Sequence, residues 1–263
     1  MSFLDYFTDE AMLYGGRYSP VLDYLGFVHL PAKQVAELIY YYHNVRKYFY
    51  GRKYFSKSKM IPIKGELKEN LLLLEPFDGD IVRRYVVTQT VNPQWSMIIG
   101  NDAPRGGGAQ EIVNRLARIS KCEGLSVHMV RPVENPETGY GCLAACGFEY
   151  YPPNTRVTVD APCFASVQSD HQKPWVFHIL HSKEYFDFED IEGYKATVIT
   201  DRFNPVKAIR YCKYFGLDPF NEHFYTHEAY VIKGRRRTKN KPLFELSLAQ
   251  MRERLGYHLL DTP

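Results

Sequence analysis

Between residues 84 and 232, strand-like runs outnumber helical ones and several follow each other with no helix between them. Adjacent parallel strands need a long crossover, usually a helix, so this order excludes a strictly alternating β/α chain. The runs fall at residues 84–91, 95–99, 125–130, 141–150, 156–159, 175–180 and 225–232 and are rich in β-branched and aromatic side chains. Residues 85–88 and 95–99 read as two strands about a turn, because Pro93 cannot donate into a ladder. The expected class is α+β, with a mixed, largely antiparallel sheet and helices packed mainly on one face.

Four helices carry both an apolar stripe and end signals. The first begins at Pro31, places Val35, Leu38, Ile39, Tyr42, Val45 and Phe49 on one side, and ends near Gly51. The second covers residues 109–121, with Ile112, Val113, Leu116 and Ala117 inward, Glu111 and Arg115 paired outward, and Gly124 beyond. The third covers residues 205–215, where Asn204 caps the start and Ala208, Ile209, Cys212 and Phe215 face inward. The fourth starts at Ser247, which has capping-box spacing to Gln250, and ends before Gly256. A weaker helix is expected over residues 188–200 behind Asp187, against the opposition of Gly193 and the β-branched run Thr197-Val198-Ile199.

With 263 residues, of which 45% are hydrophobic, the chain can bury roughly three quarters of its unfolded surface without a disulfide or metal staple. Residues 1–60 read as a Tyr-rich helical segment packed on an α+β body of residues 61–263, the two forming one compact unit. Residues 56–59 and 234–241 are the most linker-like stretches. The charge balance, 33 Lys and Arg against 30 Asp and Glu, predicts no polyanion partner from the whole-chain field. Five cysteines without a CxxC pair suit free thiols in a reducing compartment. The acidic first residues are unlike a secretory signal, and the longest aliphatic run, residues 71–74, is far too short to cross a bilayer. The expected protein is therefore cytoplasmic, with no membrane span.

Three local features have chemical content. Residues 100–108 (GNDAPRGGG) leave a strand and enter a helix, where Gly106, Gly107 and Gly108 open the backbone to an anion, with Asp102 and Arg105 as the side chains to test. The Lys-Ser/Thr ending of a phosphate loop and the GxGxxG spacing are both missing, so a nucleotide or phosphorylated ligand is one alternative and a plain strand-to-helix loop the other. Arg235, Arg236, Arg237, Lys239 and Lys241, with Lys233 before them, form a basic run able to contact nucleic acid or an acidic partner. Tyr41, Tyr48 and Tyr50 on the first helix, and the acidic Glu184, Asp187, Glu189 and Asp190, have the chemistry of a protein interface, although helix-dipole complementarity also accounts for the acids. His171, His178 and His181 lack zinc-ligand spacing, and Cys142 and Cys146 would share a strand face with His128 on a neighbour. No catalytic residue, metal or cofactor is assigned, since no local nucleophile signature is present.

Further residues combine into a pattern: Trp95 with Asn101-Asp102, Leu116-Ala-Arg118, Cys122-Glu-Gly-Leu125, Arg131-Pro132, Trp175-Val-Phe177, Phe186-Asp-Phe-Glu189, Tyr194, Asp201-Arg-Phe203, Tyr211-Cys212, Gly216-Leu-Asp-Pro-Phe220 and Tyr225. Over residues 84–232 this resembles an uncharacterised family of small bacterial cytoplasmic proteins. Its shared residues are aromatic and structural, so it implies no activity. Together with 21 Tyr, the resemblance leads to the expectation of a non-catalytic protein-binding protein, specifically a bacterial immunity protein that sequesters a cognate toxin.

Overall fold

A computed structural model of the chain describes residues 3–49, 58–77, 84–102, 107–153, 163–169, 175–181, 185–234 and 245–261. The elements are, in chain order, β1 (Tyr24–Val28), α1 (Ala32–Phe49), β2 (Lys59–Lys64), α2 (Leu67–Leu71), β3 (Arg84–Thr90), β4 (Ser96–Gly100), α3 (Gly107–Ser120), β5 (Gly124–Val130), β6 (Val133–Glu134), β7 (Gly141–Cys142), β8 (Ala145–Tyr151), β9 (Cys163–Gln168), β10 (Val176–His181), α4 (Ile199–Arg202), α5 (Pro205–Tyr214), β11 (Tyr225–Lys233) and α6 (Leu248–Leu255). Nine strands form one sheet in the order β10-β9-β8-β5-β1-β4-β3-β11-β2, and β6 pairs with β7 apart from it. The class is α+β, and every described pairing is antiparallel, so the sheet is more uniform than the mixed one expected.

The middle of the sheet comes from the beginning of the chain. β1 lies between β4 and β5 and is antiparallel to both, so the unit β4-α3-β5 is a crossover with one strand inserted into it. A boundary at residue 60 therefore runs through the sheet rather than between two bodies. Gly26 and Gly124, facing α3, make its close approach possible. A Cβ at Gly26 would stand 2.6 Å from a Val113 methyl, and one at Gly124 would stand 2.8 Å from the other.

Alternation of side chains divides the core in two. Val28, Tyr85, Val87, Ile98 and Ile232 meet Val35, Ala36 and Ile39 of α1 and Ile112, Val113, Leu116 and Ala117 of α3. Leu25, Phe27, Met97, Ile99, Leu125, Val127 and Phe148 point the other way, toward α2, α5, α6 and the first turns of the chain. The two longest helices share one face, but helices cover both, which corrects the expectation of a mainly one-sided arrangement. The physical reason is that the central strands are apolar on both sides and need two covers.

The four periodic helices stand where their stripes and caps place them. Asn204 accepts from the Lys207 N–H at 3.1 Å, and Ser247 and Gln250 close the capping box at 3.2 and 2.9 Å. The weak helix over residues 188–200 is not formed. A 3-10 turn over Gly193–Lys195 and the short α4 stand there instead, and Asp190 accepts from the Gly193 N–H at 3.0 Å. Phe188 is drawn into an aromatic cluster with Phe148, Tyr150, Tyr211 and Phe215, at centroid distances of 5.2–5.7 Å. The run at 141–150 is broken into β7 and β8, so Cys142 and Cys146 do not share a strand face. Cys146 points into the aromatic core, away from His128. The run at 156–159 lies outside the described residues.

The chain's two ends are fastened together on the aromatic face. Arg252 of α6, only 8% exposed, donates to the carbonyls of Gly16 and Ser19 at 3.1 and 3.0 Å and to Asp261 at 2.6 Å. Tyr257 donates to the buried Asp23 at 2.7 Å, and Ser19 donates to the same carboxyl at 2.5 Å. Burial is the main influence on Asp23 and pushes its pKa up to about 6, against the pull of these hydroxyls and of Arg131 and Arg252.

Candidate functional site

A cleft of about 520 Å³ opens where the first turns of the chain meet the turn before β11 and the start of α2. One wall is built from the 3-10 turns Asp9–Ala11 and Leu13–Gly16. Thr8 starts the first by accepting from the Ala11 N–H at 3.3 Å. In the second, Tyr14 is held at φ +53°, followed by Gly15 at +63° and Gly16 at +75°. For a tyrosine the left-handed region costs of order 1–2 kcal/mol, which glycine at the next two positions avoids. The strain directs Tyr14 into the cleft beside Tyr18, with the rings edge to face at 5.3 Å.

The facing wall is the turn at residues 218–224. Asn221 accepts from the His223 N–H at 3.0 Å and donates to Asp218 at 3.1 Å, while Tyr225 donates to the Pro219 carbonyl at 2.6 Å. These bonds fix Phe220, Glu222 and His223 at the rim. Lys68 completes the lining and is paired with Glu66 at 2.6 Å, and Asp9 is paired with Arg131 at 3.0 Å. Arg17 and Glu222 are exposed and neither is in an ion pair among the described residues. Burial, then Glu222 and Glu66, raises the Tyr14 pKa against the opposing effect of Lys68, so the phenol keeps its proton at neutral pH. The site thus offers the rings of Tyr14, Tyr18 and Phe220, a phenol donor and, among the described residues, charges of both signs outside any ion pair.

The sequence-derived candidates do not converge there. Asp102 follows the end of β4 and influences Tyr24 electrostatically. Gly107 and Gly108 form the first turn of α3, whereas Arg105 and Gly106 lie outside the described residues. Tyr41 is 68% exposed on α1, the Tyr48 side chain and Tyr50 lie outside the description, and so does Glu184. Asp187 is exposed, but Glu189 is 9% exposed and accepts from Tyr194 at 3.0 Å and from the Phe186 N–H at 2.8 Å. Asp190 is held by Lys207 at 3.0 Å and Arg210 at 3.8 Å. Burial pushes the Asp190 carboxyl up, but Lys207, the Gly193 N–H and Arg210 outweigh it and hold it below its ordinary value. Glu189 and Asp190 are thus engaged internally. Apart from the Phe186 N–H, their partners come from α5 and from the turn after them, which local sequence does not show. Lys233 ends β11, and Arg235, Arg236, Arg237, Lys239 and Lys241 lie outside the described residues.

Elsewhere, His128 of β5 stacks on Tyr24 at 5.2 Å, with Gly147 of β8 leaving room for its ring. Burial lowers the His128 pKa to about 4, so the imidazole is neutral at pH 7. Beside it in the sheet, burial raises the Glu149 pKa, although Gln110 and Tyr151 both donate to that carboxyl. Among the described residues no three His, Cys, Asp or Glu side chains are grouped to hold a metal ion, and no helix is long and apolar enough to cross a membrane.

The cleft residues were missed in the sequence because they come from three separated segments. The only local signal is the Tyr14-Gly15-Gly16 triplet, whose glycines mark a positive-φ turn. No protein-family model, curated protein or solved structure matches the chain.

Proposed function

We propose that this protein acts by binding another protein and, most specifically, that it is an immunity protein that neutralises a toxin by holding it. The observation that supports this reading is the cleft wall of Tyr14, Arg17 and Tyr18. Tyrosine and arginine dominate the energetics of protein interfaces, and a wall fixed in advance loses little entropy on binding. Glu222 and Arg17 add charges of opposite sign, which select a partner by complementarity.

Capture of the tagged protein from its host, with a high-salt wash and mass spectrometry, tests it with two variants. Tyr14→Gly deletes the ring but relieves the backbone, which offsets part of the packing lost against Tyr18, so the chain should stay folded and lose a salt-resistant protein partner. Arg17→Glu should weaken the same partner without unfolding the chain. A partner retained by both variants overturns the cleft. Recovery of nucleic acid that salt removes, or of a phosphorylated ligand, overturns the protein-binding reading in favour of residues 235–241 or the loop at 100–108.

A further inference from the structure

The nine-stranded sheet has two edges, and they are treated differently. At one, β2 reads Lys59-Met-Ile-Pro-Ile-Lys64, with lysines at both ends and Pro62, which has no N–H, in the middle. Lysine and proline on an edge strand are standard obstacles to pairing with another chain. At the other edge, β10 reads Val176-Phe-His-Ile-Leu-His181, with no proline and no Lys, Arg, Asp or Glu. It pairs with β9 over its whole length, and among the described residues no strand pairs with its outer side. Ile179 is 38% and Leu180 41% exposed, and His178 is exposed as well.

The order of residues on this edge selects its occupant. About His178 the strand is symmetric in character: Phe177 and Ile179 flank it, and Val176 and Leu180 flank those. We propose that β10 pairs antiparallel with β10 of a second copy of this chain, about a two-fold axis at His178, joining the two sheets edge to edge. A two-fold axis perpendicular to the sheet keeps each side chain on its own face. In this register Phe177 of one copy stands opposite Ile179 of the other, on the face where these residues pair with Val167 and Ala165 of β9. Val176 stands opposite Leu180 on the other face, and His178 opposite itself. Every exposed apolar side chain of the strand meets an apolar one, which a foreign strand would match only by chance. Such a short ladder buries less than the ~1,200 Å² of a standard interface, so the dimer is weak and concentration-dependent. The inference does not rest on the reading of the cleft.

Sedimentation velocity across a micromolar to high-micromolar series tests it. Wild type is expected to move from one-chain to two-chain mass, and Ile179→Lys to stay at one-chain mass with unchanged thermal unfolding. Register is read by oxidative cross-linking on non-reducing gels against wild type. His178→Cys should give a linked two-chain species. Leu180→Cys should not, because its partner position is residue 176. One-chain mass at every concentration, a dimer that Ile179→Lys leaves intact, or equal cross-linking of the two cysteine variants overturns the proposal.

Discussion

The two faces of the sheet are solved by different means. On one, α1 and α3 lay regular apolar stripes of Val, Ala, Ile and Leu over the strands, and glycines at 26 and 124 set the distance. On the other, short helices and turns are held by large aromatic rings and by buried polar groups: Phe148, Phe188, Tyr211 and Phe215 in one place, Asp23, Ser19, Tyr257 and Arg252 in another. Regular helices need only a periodic face to cover a sheet. Irregular segments leave backbone carbonyls such as that of Ser19 to be satisfied one by one, and here a buried guanidinium does it.

The largest expected effect separates the faces by packing. Phe148→Ala, in the middle of the aromatic side, should lose about 3–5 kcal/mol in urea unfolding, whereas Ile98→Val under the long helices should lose about 1 kcal/mol. Equal losses would mean that the aromatic side relaxes around the cavity and is not the tighter packed of the two.

Next comes pH, where one titratable group on each face acts in the opposite sense. Asp23 rises to about 6 in the folded protein, so its contribution is full below its ordinary value and is lost as pH climbs through 6. His128 falls to about 4, so its contribution is full above its ordinary value and is lost as pH drops toward 4. Each shift corresponds to about 3 kcal/mol at most, and between about pH 4 and 6 the two nearly cancel. Unfolding free energy should therefore be flatter with pH in wild type than in either variant. Asp23→Asn should make it rise with pH and His128→Gln make it fall. A wild-type slope as steep as either variant's would break the pairing of these two groups.

The smallest effect probes the fit of α3. Gly26→Ala brings a methyl to 2.6 Å from Val113 and 3.2 Å from the Ala109 carbonyl, and should lose about 1–3 kcal/mol. Adding Val113→Ala should restore part of that loss in a double-mutant cycle. Strict additivity would show that α3 moves rather than clashes.

The same division decides what could be read in advance. The helices at 32–49, 107–120, 205–214 and 248–255 were legible because a half-buried helix must repeat its apolar positions and close its ends. Strands β3, β4, β5, β10 and β11 were legible from β-branched and aromatic runs. β1 was not, since five residues containing a glycine and apolar on both sides show neither period. Nor were β2, with a proline inside it, and β9, with no periodic neighbour to frame it. Phe188 shows the limit from the other side: tertiary packing takes it, and the local helix signal after Asp187 has nothing to bury. The cleft was illegible because its side chains meet only when residues 9–18, 68 and 220–223 are brought together, and Tyr14 enters it from a positive-φ backbone that composition does not display.

One consequence of β1's place concerns time. Leu25 and Phe27 are made some 70 to 100 residues ahead of the strands that flank them, and β2 waits far longer for β11. Such separated pairings raise contact order and slow the search for the native state. As the polypeptide leaves the ribosome, the future middle of the sheet must remain uncovered until β4 and β5 emerge. Until then Leu25 and Phe27 have no neighbouring strand to join.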